Sequence, residues 1–125
     1  MMLDDHCRSS PILCEMFDRL NRRYFRGALP SLPIMWHKPL LSGGRRAFAG
    51  QFIVFEDRDH ANIIIDPKLR KRKMWNYIES ILLHEMVHTY LWNKHERPSA
   101  YNGHGKKFQK EMRRLARAGA FDRLW

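Results

Sequence analysis

A chain of 125 residues with 44% hydrophobic residues and four tryptophans is long enough for one domain with its own core and too apolar to be disordered throughout. Its 23 Lys and Arg against 13 Asp and Glu give a net charge of +10, which favours a polyanionic partner, most simply nucleic acid. No apolar run approaches the roughly 20 residues of a membrane span, and Met1-Met2-Leu3-Asp4-Asp5-His6 lacks the basic and apolar regions of a signal peptide. The expectation is a cytoplasmic protein without membrane contact. Cys7 and Cys14 form no C-x-x-C pair, so neither a zinc ribbon nor a redox motif is implied; they read as free thiols, with Cys14 a small core residue.

Residues 1–9 read as a loose tail and 10–125 as a single domain. Ser10-Pro11 is a helix start, with Ser as N-cap and Pro at the first helical position. Leu13, Phe17, Leu20 and Tyr24 then follow as one core-facing stripe, and Gly27, Pro30 and Pro33 end the helix. Ile34-Met35-Trp36 reads as a short strand, Pro39 and Ser42-Gly43-Gly44 as a loop, Ala47 to Phe55 as a second strand and Ala61 to Ile65 as a third. The charged link Glu56-Asp57-Arg58-Asp59-His60 suits a turn, and Asp66-Pro67 stops the third strand. Sequential short strands with short turns predict an α+β fold whose helices pack on a small antiparallel sheet of three to four strands.

A dense basic block follows, with Lys68, Arg70, Lys71, Arg72 and Lys73 around Leu69. It reads either as a solvated connector or as a nucleic-acid contact. From about Met74 to Asn93 the chain predicts a helix apolar on nearly all sides, hence buried. A polar loop spans 94–103. His104 opens a last helix with Phe108, Met112 and Leu115 on the inward side, and Lys106, Lys107, Lys110, Arg113, Arg114 and Arg117 on the outward arc.

The buried helix carries His84-Glu85-Met86-Val87-His88, an H-E-x-x-H pattern. Residues i and i+4 share a helix face, so the two imidazoles can grip one zinc ion while Glu85 stands beside it. The plainer alternative is two core histidines, but a buried polar group without a partner is costly and zinc supplies the partner. Catalytic zinc takes three protein ligands and leaves one position open. The candidates for the third are His104, His95 and Glu111. His104 is preferred, because its helix register aims it inward and Gly103 and Gly105 permit close backbone approach. The chemistry expected of such a centre is peptide hydrolysis by a zinc-activated water with Glu85 as general base. Tyr101 and His95 are candidate oxyanion donors, and the strand within 47–55 is a candidate partner for an extended substrate.

These motifs, taken with Tyr24-Phe25-Arg26-Gly27-Ala28-Leu29-Pro30, Ala49-Gly50, Ile63-Ile64-Ile65-Asp66 and Gly103-His104-Gly105-Lys106-Lys107-Phe108, resemble the SprT-like metalloprotease domain of Spartan-type proteases from about residue 10 to 118. The resemblance implies a minigluzincin-like fold, one catalytic Zn2+ on His84, His88 and His104, and Glu85 as general base. It also implies DNA-stimulated proteolysis of proteins bound or cross-linked to DNA. The expected partner is single-stranded or damaged DNA, and the expected state a monomer, nucleoid-associated if it binds DNA. Many family members carry a four-cysteine zinc ribbon or longer DNA-binding tails, which this sequence does not show. DNA contacts would then fall on Lys68, Arg70, Lys71, Arg72 and Lys73, and on Lys107, Lys110, Arg114 and Arg117, with Trp36, Trp75 or Trp92 as candidate base-stacking platforms. Two other functions stay open: a DNA-binding scaffold in which zinc is structural, and a zinc protease with no role for DNA.

Overall fold

The computed structural model describes residues 9–38 and 49–124. The first helix, α1 (Pro11–Phe25), begins where expected: Ser10 Oγ accepts the Leu13 N–H at 3.3 Å, and Pro11 occupies the first turn, where its missing N–H costs nothing. Its core face is Leu13, Phe17, Leu20, Asn21 and Phe25, whereas Tyr24 is only half-buried. The helix ends on Arg26 and Gly27, both left-handed, with φ of 54° and 72°. The buried Asn21 explains the turn that follows. Its side chain donates to Leu29 O at 3.0 Å and accepts from Leu29 N at 3.1 Å, so one amide satisfies both backbone groups of Leu29.

Three strands follow: β1 (Ile34–Trp36), β2 (Gly50–Val54) and β3 (Ala61–Ile65). The order across the sheet is β1-β3-β2. β2 and β3 form the expected antiparallel hairpin, with Phe52 opposite Ile63. The expectation of an all-antiparallel sheet fails at the other pair, because β1 runs parallel to β3, with Ile34 opposite Ile63. The sheet is mixed. The reason lies in Ile63-Ile64-Ile65, all at most 3% exposed. A strand buried on both faces belongs in the middle of a sheet, so β1 takes one edge of β3 and β2 the other. β2 is shorter than expected; Ala47 and Phe48 lie outside the described residues, as do Cys7, Pro39 and Ser42-Gly43-Gly44.

Asp66 stops β3 and caps α2 (Pro67–Lys71), its carboxylate accepting from Lys68 N at 3.0 Å. The basic block is thus a short helix closed by Arg72 and the left-handed Lys73. The central helix, α3 (Trp75–Asn93), buries Ile78, Leu82, Leu83, Met86 and Val87 completely. It is open only at its ends, where Tyr77 is 42% exposed and Asn93 is exposed too. The loop after α3 contains a short helix, α4 (Pro98–Tyr101), and the last helix, α5 (Lys106–Arg117), starts two residues after His104 rather than at it. α5 is pinned by Phe108 and Leu115 alone among its fully buried residues. Its end is tied down by a turn, in which the buried Glu79 pairs with Arg123 at 3.0 Å and with Arg19 of α1 at 2.7 Å. Cys14 is half-buried against the core. Among the described residues no helix is long and apolar enough to cross a membrane.

Candidate metal centre

The helical repeat of α3 stacks His84 over His88, with ring centroids 5.1 Å apart. The bend between α4 and α5 delivers His104, whose Nε2 lies 3.2 Å from His84 Nε2. One ring nitrogen from each of the three lies within 4.8 Å of the others. Phe108, one turn into α5, packs its ring against all three imidazoles at 4.7–4.9 Å, which fixes their tilt from the core side. That contact was not foreseen; Phe108 read only as a core residue.

His104 reaches this position through Gly103. A Cβ there would fall 2.7 Å from Ser99 O, so only glycine lets the bend close onto α4. Gly105 has open space around its missing Cβ and contributes no close approach. His95 and Glu111, the other candidate ligands, stay outside the cluster. His95 is exposed with φ of 61°, and Glu111 pairs with Arg114 at 2.9 Å.

The donor set fits a divalent metal. Zinc–nitrogen bonds of about 2.0–2.1 Å at tetrahedral angles place two ligand nitrogens about 3.4 Å apart, close to the 3.2 Å between His84 and His104. His88 Nδ1 lies 2.7 Å from Tyr101 O. A carbonyl only accepts, so Nδ1 carries the proton and Nε2 keeps its lone pair. Tyr101, a candidate oxyanion donor from sequence, serves here through its backbone. Burial pushes the His84 pKa down to about 4, and the neighbouring His88 and His104 push the same way. Burial also lowers His88, against the opposing pull of the Tyr101 carbonyl. Both rings are therefore neutral at pH 7, the form that ligates a metal.

Glu85 is 5% exposed and accepts the backbone N–H of Phe52. Burial, only partly offset by that hydrogen bond, pushes its carboxyl pKa up to about 8. Phe52 belongs to β2, so the strand and the helix meet at this carboxylate. They meet closely because residue 50 is glycine: a Cβ there would lie 2.7 Å from Ile81 Cγ2 and 3.6 Å from Glu85 Oε2. The resulting cleft, about 160 Å3, is lined by Gly50, Gln51, Phe52, Asn102, Glu85 and the three histidines. Phe52 also stacks on His88 and meets Trp92 edge-on, the rings 6.4 and 5.8 Å apart. Trp92 donates to Arg58 O at 3.0 Å and so ties the β2–β3 turn to α3. Beyond it a larger cleft of about 440 Å3 is walled by Arg58, Asp59, Trp92, His95, Glu96 and Tyr101.

The basic residues divide. Lys68, Arg70, Lys71, Arg72 and Lys73 stand on α2 and its turn; Arg70 lies over the Trp36 ring at 5.5 Å, and Trp36 meets Trp75 edge-on. On α5, Lys110 and Arg117 are exposed and Lys107 pairs with Glu96 at 2.5 Å. Arg114 is committed inward: it donates to Tyr24 O at 2.7 Å and to Glu111, and covers the Phe25 ring.

Three imidazoles around one point, with a buried carboxylate beside them and a strand along the cleft, make a site that fits a metal ion. The chain belongs to the SprT-like family, whose sequence profile matches residues 13–123. It is 32% identical over 122 residues to the DNA-dependent metalloprotease dvc-1 of Caenorhabditis elegans, covering 94% of this chain and 30% of that protein. It is 31% identical over 112 residues to the DNA-dependent metalloprotease SPRTN of Bos taurus and 30% identical over 110 residues to that of Homo sapiens. These alignments cover 86% and 85% of this chain but only 21% and 20% of the relatives, so the chain spans a third or less of the curated relatives it matches.

Proposed function

We propose that the chain is a zinc-dependent endopeptidase that cuts proteins bound or cross-linked to DNA. One observation carries the catalytic half: Glu85 is buried at the one place where the three-histidine cluster and the edge of β2 meet. His84, His88 and His104 would hold a single zinc ion. Bound there, zinc supplies Lewis-acid chemistry, acidifying water to a pKa of about 7 and polarising a carbonyl.

The chain's own groups do the rest. The charge of the bound ion would offset the burial that favours the Glu85 acid, and as the carboxylate Glu85 would take the proton from the attacking water and return it to the leaving amine. The Phe52 N–H orients that carboxylate, and Tyr101 O holds His88 in its ligating tautomer. β2 positions the substrate. Asp66 N donates to Ala49 O and Phe55 N to His60 O, so residues 49, 51, 53 and 55 spend their peptide groups on β3. Of the alternate residues, Phe52 gives its N–H to Glu85, while its carbonyl and the peptide groups of Gly50 and Val54 turn toward the other edge, where an extended peptide can pair. A strand-like substrate favours unfolded segments over folded domains.

The DNA half is supported by the relatives' description as DNA-dependent and by the net charge of +10. Lys68, Arg70, Lys71, Arg72 and Lys73 on α2 and its turn, with Lys107, Lys110 and Arg117 on α5, are the proposed phosphate contacts, and Arg114 is assigned to holding α5 instead. The same reading makes residues 10–125 one domain, acting as a monomer in the cytoplasm or on the nucleoid.

The test is cleavage of a DNA-bound protein with and without single-stranded DNA. DNA should accelerate cleavage by wild type. Lys107→Glu/Lys110→Glu/Arg117→Glu should lose that acceleration while still cutting an unstructured peptide. Acceleration that survives both the triple reversal and high salt removes the DNA assignment.

A further inference from the structure

We propose that the cleft between α3 and the C-terminal turn is a specificity pocket, taking one large apolar side chain of a peptide whose adjacent carbonyl lies at the three-histidine centre. The inference rests on the proteolytic reading above and adds to it which residue of the substrate is selected, and by what.

The pocket holds about 280 Å3 and is lined by Ser80, Ile81, His84, Met112 and Phe121. His84 belongs both to it and to the metal centre, so the two sites share a wall. Apart from that imidazole, its one polar side chain is already committed: Ser80 Oγ donates to Tyr77 O at 2.7 Å. The remaining lining is isoleucine, methionine and phenylalanine. A charged or amide side chain entering here would give up its water without gaining a partner, whereas an apolar one loses nothing.

Its place along the substrate path follows from Gly50. The start of β2 rests directly on Ile81, since a Cβ on residue 50 would come within 2.7 Å of Ile81 Cγ2. A peptide paired along the free edge of β2 therefore leaves the strand over Ile81, whose other side walls the pocket. At the far end of β2 the lining differs, because Arg58, Asp59 and Glu96 stand among the aromatic and proline walls of the cleft beside Trp92. The chain thus offers an uncharged, apolar receptor on the His84 side of the centre and a mixed one with charged side chains on the Trp92 side.

The third wall is built in advance. Gly119, with φ of 83°, reverses the chain after α5, and the buried Ala120 donates to Leu115 O at 3.0 Å. On the other side of Phe121, Arg123 pairs with Glu79 at 3.0 Å and its carbonyl accepts from Asn76 Nδ2 at 3.1 Å. Phe121 is held between anchors to α5 and to α3. The C-terminal turn serves as a wall of the substrate site.

Calorimetry on the zinc-loaded full chain tests this without relying on turnover. The probes are acetohydroxamate and peptidyl hydroxamates whose first side chain is Leu, Phe, Ala or Asp. Leu and Phe probes should bind at least about ten-fold tighter than Ala, the range one apolar pocket delivers, and Asp weakest of all. Met112→Trp, which fills the pocket, should erase the Leu-over-Ala preference while acetohydroxamate binds as before. Phe121→Ala, which enlarges it from the turn, should shift preference from Leu to Phe. Equal affinity for Leu, Ala and Asp probes overturns the proposal, as does a ranking untouched by Phe121→Ala. Cleavage of a peptide library, read by mass spectrometry, separates the two readings. Cuts with no apolar residue fixed beside them overturn the pocket and leave the protease. The expected hydroxamate ranking without any cutting supports the pocket and overturns the protease.

Discussion

α3 and α5 both contribute to the metal centre, yet they are built in opposite ways. α3 is sealed in the core, with Ile78, Leu82, Leu83, Met86 and Val87 fully buried around its two histidines. α5 buries only Phe108 and Leu115 and turns lysines and arginines outward, while His104 sits in the bend that precedes it. The sealed helix fixes the places of His84, His88 and Glu85. The bend before the surface helix brings in His104, and that helix carries the exposed charge. The difference teaches that a substitution in α3 strikes the fold itself, whereas one on the exposed face of α5 leaves the fold standing.

The largest effect should come from the sealed helix. Leu82→Ala removes a fully buried side chain and should destabilise the protein by about 2–5 kcal/mol in urea unfolding. Lys110→Ala on α5 should stay within about 0.5 kcal/mol in the same experiment. Equal losses for the two would erase the contrast. Next comes the contact between α3 and β2. Gly50→Ala puts a methyl within 2.7 Å of Ile81 Cγ2 and 3.1 Å of Ile64 O, and the carbonyl cannot yield. We expect about 1–3 kcal/mol of destabilisation and a larger drop in peptide cleavage than in zinc affinity, because β2 and the orientation of Glu85 move while the histidines stay. Asn21→Ala should cost about 1–3 kcal/mol, since it leaves both backbone groups of Leu29 without their partner. The smallest effect belongs to the Lys107–Glu96 pair, in which the lysine is 59% exposed; Glu96→Gln should change stability by at most about 1 kcal/mol in thermal melts.

The same contrast explains what was legible in the sequence. The H-E-x-x-H spacing and the apolar surround of α3 are local, and a local period is readable. Ser10 caps α1 through a hydrogen bond three residues along the chain, so that helix start is readable; Asp66 caps α2 in the same way, although Asp66-Pro67 reads in the sequence only as the end of β3. The sequence points to the cluster of His84, His88 and His104, but helix register accounts for only part of it: His104 reaches inward from a bend that Gly103 allows, not from the first turn of α5. Strand pairing is non-local, and the parallel β1–β3 pair was missed. The run Ile63-Ile64-Ile65 carried a signal for it, since a strand apolar on both faces is a central strand. The roles of Gly50, Phe52 and Phe108 depend on what lies across the cleft from them. No pattern within their own segments announces them. Arg114 fell on the outward arc by register, yet its length lets it reach back to Tyr24 O.

The central claim is that one zinc on His84, His88 and His104 serves catalysis through Glu85. Its most direct test is parallel measurement of zinc content and peptide cleavage for wild type and Glu85→Gln. The account predicts one zinc per chain in both, with cleavage reduced by at least about 100-fold, the lower end expected for loss of a general base. Cleavage by Glu85→Gln at the wild-type rate, or a wild type that cuts with no zinc bound, would contradict it.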